Sequence, residues 1–230
     1  MIGRPRVHLR ATDSTNERAK ALAGAGAVHG TLVTAREQSA GRGRQGRSWT
    51  AEPGSAVLMS LVLRDLSEHY ALLPLGAAVA VCEAAEACAQ VRCRIKWPND
   101  VWIEGRKVAG ILVEGRVQEG WAVLGIGLNV RKVDFPPELS GMATTLGIED
   151  TEGVLTEILG ALSRRLADPQ AEVLAAWRVR DALAGQHVRW DGGEGTAAGI
   201  DDAGSLLVDT RDGRVALAAG EVHLAPLNRG

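Results

Sequence analysis

The chain has 230 residues, of which 46% are hydrophobic and 23% charged, and its formal net charge is −2. That length holds one full domain with room for a small second one, and that composition excludes a disordered or collagen-like chain. The near-neutral charge argues against non-specific nucleic-acid binding; no apolar stretch is expected to reach the length of a membrane span, and the N-terminus leads into no secretory signal.

In chain order, residues 7–9 form a short apolar piece, followed by Asp13-Ser14-Thr15-Asn16-Glu17 and an Ala-rich helix that breaks near Gly24 and Gly26. Residues 31–37 read as a strand, residues 38–55 as a Gly-rich polar loop, and residues 56–63 as a strongly apolar strand. Residues 70–90 form a long Ala-rich helix, apolar nearly all round and therefore buried. A strand at 92–97 stops at Pro98. Residues 101–104 and 107–116 make a hairpin turning at Gly105-Arg106, and a turn at Glu119-Gly120 leads to a strand at 121–130. Residues 151–180 hold one or two amphipathic helices divided near Asp168-Pro169. From Gln186 onward, short strands separated by Asp-Gly-Gly, Asp-Asp-Ala-Gly and Arg-Asp-Gly predict a small all-β unit of about five strands, an SH3-like barrel. The first domain is α+β, covering residues 1–184, and the second covers 185–230.

Two biases stand out. Of eight aromatic residues six are Trp, and Lys occurs only at positions 20, 96, 107 and 132 in an Arg-rich chain. Cys82, Cys88 and Cys93 have no CxxC and no His at metal spacing, which predicts reduced, inert thiols in a cytoplasmic protein.

Gly41-Arg42-Gly43-Arg44-Gln45-Gly46 matches a dinucleotide-binding fingerprint literally, but no helix start follows, so that reading is rejected. The residues between the glycines matter more. Arg42, Arg44 and Arg47 make the loop either a clamp for an anion, through bidentate guanidinium forks, or a solvated basic loop. Ile95-Lys96-Trp97-Pro98-Asn99-Asp100 is a rigid turn in which Asn99 reads as a turn former. If the hairpin closes near Gly105, Lys96 and Lys107 face one site and join the arginines in a cationic pocket suited to a polyphosphate.

Five motifs occur in one order: Asp13-Ser14-Thr15-Asn16; Gln38-Ser39-Ala40-Gly41-Arg42-Gly43-Arg44-Gln45-Gly46-Arg47-Ser48-Trp49; Lys96-Trp97-Pro98-Asn99-Asp100; Lys107-Val108-Ala109-Gly110-Ile111-Leu112-Val113-Glu114; and Gly125-Ile126-Gly127-Leu128-Asn129-Val130. Together they resemble the biotin protein ligase family over essentially the whole chain. The resemblance implies a mixed β-sheet catalytic domain with helices, of the biotin/lipoate ligase type, plus the small SH3-like barrel. It implies that biotin and ATP form biotinyl-5′-AMP, with Mg²⁺, and that biotin then passes to a lysine of a biotin carboxyl carrier protein or domain. It implies a form without the DNA-binding domain that some members carry, and no nucleic-acid or membrane partner. Many members dimerise through the sheet, and no residue here decides whether this chain forms a homodimer.

By that resemblance Ser14, Thr15, Asn16 and Gln38 receive the biotin head, whose ureido group offers one acceptor and two N–H donors; Ser14-x-x-Glu17 is also a capping box, and the two roles are compatible. Arg42, Gly43 and Arg44 belong to the loop that folds over biotin and the adenylate. Arg47 and Lys96 contact the triphosphate, and Lys107 meets the biotin carboxylate and the reacting phosphate. Trp49 packs on the adenylate end or anchors its loop. Asn129 reads the adenine edge or ends its strand. Asp100 orients or deprotonates the acceptor amine or merely forms the turn. No metal ligands are assigned, and the five His lie outside every motif. The alternatives are a lipoate or octanoate ligase or transferase of the same fold, and a biotin-operon repressor, which the missing helix-turn-helix disfavours.

Overall fold

The computed structural model describes residues 1–64 and 68–224. Its strands are β1 (Arg6–Leu9), β2 (Leu32–Ala35), β3 (Ala56–Arg64), β4 (Cys93–Lys96), β5 (Asp100–Ile103), β6 (Arg106–Arg116) and β7 (Trp121–Asn129), followed by β8 (His187–Trp190), β9 (Gly193–Ile200), β10 (Leu206–Thr210), β11 (Gly213–Leu217) and β12 (His223–Leu224). The helices are α1 (Thr15–Gly24), α2 (Leu73–Cys88), α3 (Thr151–Arg165) and α4 (Gln170–Arg178). The strands expected from the sequence are all present, with ends that differ by one or two residues in either direction.

The first seven strands form one sheet in the order β1-β2-β3-β7-β6-β5-β4. β1 pairs parallel with β2, and the neighbouring pairs from β2 to β4 are antiparallel, so the sheet is mixed. Side chains alternate across it. On β3, Val57, Met59, Leu61 and Leu63 face the main core with α2 and α3, whereas Val62 packs with Ala19 and Ala23 of α1. Ser60 shares the α1 side and is fully buried there. On β7, Leu124, Ile126 and Leu128 belong to the main core, while Val123 faces α1 and Gly125 and Gly127 continue along that same side. A helix can lie directly on a strand where glycine leaves out the side chain, and a Cβ at Gly125 would collide with Asn16 Oδ1 of α1.

The helix α2, with the turn before it, corrects one expectation. The segment Tyr70–Cys88 is long and apolar enough, with a mean hydropathy of 1.6, to cross a membrane by length and composition. Most of it is buried between the sheet, α3 and α4, as the all-round apolar pattern predicts. The thiols of Cys82, Cys88 and Cys93 are free, and burial pushes those of Cys82 and Cys88 up, away from the reactive thiolate.

The last five strands form an antiparallel sheet in the order β11-β10-β9-β8-β12. The five strands are as expected, in an SH3-like arrangement with β11 and β12 at its ends. Val188, Ala197, Ile200, Leu206, Val208 and Val222 join the same apolar core as α2 and the larger sheet. Trp97, 2% exposed, donates from Nε1 to the Gly204 carbonyl at 3.0 Å and so anchors this sheet to the turn before β5.

Candidate functional site

An open-mouthed cavity of about 110 Å³ lies on the α1 side of the large sheet, bounded by α1, the glycine loop, the turn before β5 and the chain entering β12. Ser14, Thr15, Asn16, Gln38, Arg42, Gly43, Arg44, Arg47, Trp49, Lys96, Asp100 and Lys107 all line it. Asn129 does not. It lies two residues beyond Gly127, on the same side of β7, and its Nδ2 donates to the Thr144 carbonyl at 3.1 Å.

One end of the cavity is uncharged and polar. Thr15 donates its backbone N–H to Gln38 Oε1 at 2.7 Å, and its hydroxyl lies 3.0 Å from that same oxygen. Ser60 Oγ lies 2.8 Å from Thr15 Oγ1 and 2.6 Å from Asn16 Oδ1. Asn16 Nδ2 donates to Glu114 Oε2 at 2.9 Å. The capping box does not form: Ser14 makes no side-chain cap bond, and Glu17 is turned outward to Lys20 and Arg42. Those cations hold the Glu17 carboxyl below its ordinary value, Lys20 contributing most. The Ser14 N–H that Glu17 would have met in a capping box goes to Asp13 Oδ1 at 2.8 Å instead.

The other end is cationic. Five lining residues carry positive charge (Arg42, Arg44, Arg47, Lys96 and Lys107) against the two carboxylates Asp100 and Glu221. The glycine loop is a small hairpin rather than an aperiodic coil. Gly43 N–H donates to the Arg47 carbonyl at 2.7 Å, Trp49 N–H to Gly41 at 2.9 Å, and Arg42 bridges Ser48. Gln45 sits at φ 54° at the tip, in the left-handed region that reverses the chain. Arg42 pairs with Glu17 and Arg47 with Glu221. Arg44 reaches Asn99 Oδ1 and the Gly220 carbonyl, each at 3.4 Å, and its burial pulls its pKa down. The Trp49 ring lies against Gly110 and Gly127, its Nε1 buried without a partner among the described residues.

Lys107 owes its place to an irregularity. Trp102 pairs with Lys107 and Val101 with Ala109, so Val108 is an extra residue in β6. A bulge of this kind re-aims the side chains before it. Val108 is fully buried, and Lys107 joins Asp100 and Gly110 on the cavity side, its Nζ 2.7 Å from Asp100 Oδ1 and 5.6 Å from the Trp49 ring centre. The chain after β7 clamps its backbone: Lys107 N–H donates to Met142 O and Thr144 N–H to Lys107 O, both at 2.8 Å. Lys96 lies 5.3 Å over the Trp102 ring, and burial lowers its pKa although Asp100 and Glu221 act to raise it. Asn99 bonds Ile111 through both backbone and amide, which fits its reading as a turn former.

Several residues here carried no assigned role in the sequence. Ser60 has a visible signal, a lone hydroxyl within Ala-Val-Leu-Met-Ser-Leu-Val-Leu. Glu114 lies inside a motif without a chemical cue of its own. Glu221 and Gly220 reach the cavity from more than a hundred residues away, and nothing local announces them.

Residues 9–130 match the Biotin/lipoate A/B protein ligase family, and residues 184–224 match the Biotin protein ligase C terminal domain. Over 244 residues the chain is 36% identical to the Bifunctional ligase/repressor BirA of Bacillus spizizenii, covering 97% of this chain and 75% of that one. It is 35% identical to the Biotin--[acetyl-CoA-carboxylase] ligase of Mycobacterium tuberculosis, covering 93% and 86%. The fold superposes on the Aquifex aeolicus biotin protein ligase in complex with biotin and ATP with a TM-score of 0.86 and 28% identity, covering 96% of this chain and all of that one. This chain therefore belongs to the Biotin/lipoate A/B protein ligase family, as a biotin protein ligase.

Proposed function

We propose that this chain joins biotin to one lysine of a carboxylase carrier protein or domain, using ATP and passing through biotinyl-5′-AMP. The observation that carries this reading is the two-ended cavity. Its uncharged end presents hydroxyl and amide groups suited to a ureido head, and its other end presents five cations suited to a nucleotide triphosphate.

In the first step a carboxylate oxygen of biotin attacks the α-phosphorus, the bond to the β-phosphate oxygen breaks, and pyrophosphate leaves. The carboxylate is already a nucleophile, so the protein holds two anions in line and neutralises the charge that develops on phosphate. Lys107 meets the carboxylate and α-phosphate, while Arg44, Arg47 and Lys96 hold the triphosphate. Ser14, Thr15, Asn16 and Gln38 bind the head, and Arg42, Gly43 and Arg44 close over the adenylate. Trp49 covers the nucleotide end and Asn129 meets adenine beyond Gly127. In the second step the acceptor amine attacks the biotinyl carbonyl carbon, AMP leaves, and Asp100 takes up or orients the amine proton.

Among the described residues no group of three His, Cys, Asp or Glu could hold a metal ion. The two carboxylates that line the cavity, Asp100 and Glu221, fit Mg²⁺ arriving on the nucleotide phosphates, which it commonly binds with one or two protein carboxylates. Asp100 or Glu221 would meet it there, and it would help neutralise the phosphates. The catalytic unit is read as residues 1–184 and the β unit as 185–230, in a cytoplasmic enzyme acting without nucleic acid. Pyrophosphate exchange into ATP is expected with biotin and not with lipoate; exchange with lipoate alone would replace this reading with lipoate ligation.

A further inference from the structure

Glu114 lies outside the lining of the cavity, yet it fixes the hydrogen-bond direction inside it. Its Oε2 accepts from Asn16 Nδ2 at 2.9 Å, and its Oε1 lies 3.2 Å from Lys20 Nζ. A carboxylate only accepts, so the amide of the buried Asn16 must turn its nitrogen to Glu114 and its oxygen to Ser60. Gln38 is fixed in the same manner, because the Thr15 backbone N–H requires an oxygen 2.7 Å away.

Four oxygens then stand in a row: Asn16 Oδ1, Ser60 Oγ, Thr15 Oγ1 and Gln38 Oε1, spaced 2.6, 2.8 and 3.0 Å. Three oxygen–oxygen contacts need three protons to bridge them, and the two hydroxyls supply only one each. Ser60 must donate to Asn16, leaving Thr15 to serve either Ser60 or Gln38. Gln38 Oε1 already accepts the Thr15 backbone N–H, so the acceptor left without a donor in this row is Thr15 Oγ1, in a buried place where an unmet acceptor is costly. Thr15 borders the cavity, so a ligand N–H directed at its Oγ1 supplies the missing donor.

We infer that Glu114 is a specificity-determining positioning residue, which acts through Asn16 and Ser60 to make this end of the cavity demand an N–H donor. The inference rests on the ligase reading above and adds to it the reason that a ureido head is selected over an isosteric head lacking that proton. Glu114→Gln reverses the logic: the new amide can donate, Asn16 can turn over, its Nδ2 then supplies Ser60, and the shortage disappears without ligand.

The test compares biotin with its two cyclic-carbamate analogues, in each of which one ureido N–H is replaced by a ring oxygen. Pyrophosphate exchange is measured for the full chain and for E114Q. Wild type should prefer biotin to at least one carbamate by roughly 10³-fold or more in kcat/KM, the scale for a donor lost opposite a buried acceptor. In E114Q that ratio should fall about tenfold or more, with the change in KM for biotin and KM for ATP held within about twofold. A ratio unchanged in E114Q overturns the inference while leaving the ligase reading standing. Should E114Q not fold, E114A likewise removes the carboxylate that fixes Asn16 and frees its amide to turn over, and an unchanged ratio there overturns it equally. Absence of exchange by the wild type with biotin overturns the ligase reading and this inference with it.

Discussion

A single extra residue decides which side chain of β6 meets the cavity. Without the bulge at Val108 the alternation would send that valine to the cavity side and Lys107 to the core. With it, the Lys107 ammonium stands between Asp100 and the Trp49 ring. Lys107→Ala should lower the rate of adenylate formation in a single turnover by roughly two to three orders of magnitude, the loss expected for one charge-stabilising donor. Lys107→Arg should recover little of it, since a planar fork does not replace a compact ammonium between an acid and an indole face. A near-wild-type rate in either variant would remove Lys107 from the site. The rarity of lysine in the chain pointed to this position and to Lys96, and both line the cavity. The bulge itself left no mark in the sequence, because Lys-Val-Ala-Gly reads equally well in either register.

The strands β6 and β7 form the cavity floor, and their glycines set how closely other elements approach. Gly125 admits Asn16 of α1, and Gly127 admits the ring of Trp49. Gly125→Ala should therefore push α1 outward and raise the KM for biotin about tenfold or more, the effect of displacing positioning groups by an ångström or so. It should leave KM for ATP nearly unchanged, because the cationic end is built from other elements. Equal effects on both substrates would show that the two ends are not separable. Element type and order were legible from hydrophobic period and turn residues. The parallel pairing of β1 with β2 was not, since pairing direction depends on the whole path of the chain. The capping box illustrates a different limit. Ser14-x-x-Glu17 has the right spacing, but Lys20 and Arg42 outcompete the backbone for Glu17. Local rules lose to tertiary partners that sequence spacing does not reveal.

At the scale of the whole molecule, the two sheets are joined through a junction that contains an isolated acid. Asp181 is 3% exposed, its Oδ1 accepts from Leu183 N–H at 2.8 Å, and its Oδ2 has no partner among the described residues. Burial raises its pKa, with the Leu183 and Ala184 N–H groups and then nearby Arg94 only partly opposing. The folded carboxyl thus keeps its proton to higher pH than the unfolded one, so this group costs stability as pH climbs above the ordinary carboxylate range. Asp181→Asn should raise the melting temperature near pH 7, by on the order of 1 kcal/mol in stability, and should have little effect near pH 3.5. A larger gain at the acidic pH would invert the assignment. The sequence marked the change of texture near this junction but not Glu221, whose path back to the glycine loop depends on how the second sheet docks. That docking has a consequence for turnover. Arg42, Arg47 and Lys107 are each held by a carboxylate of the same chain, on α1, before β12 and on β5. On the proposed assignment of these cations to the phosphates, an incoming phosphate chain must evict a rival that cannot diffuse away, and a tethered rival of this kind acts at an effective concentration of about millimolar. The same tether works in reverse once the anhydride has formed. Glu17, Glu221 and Asp100 recapture their cations as pyrophosphate loosens, so the product leaves a site that closes on itself rather than a fixed well of positive charge.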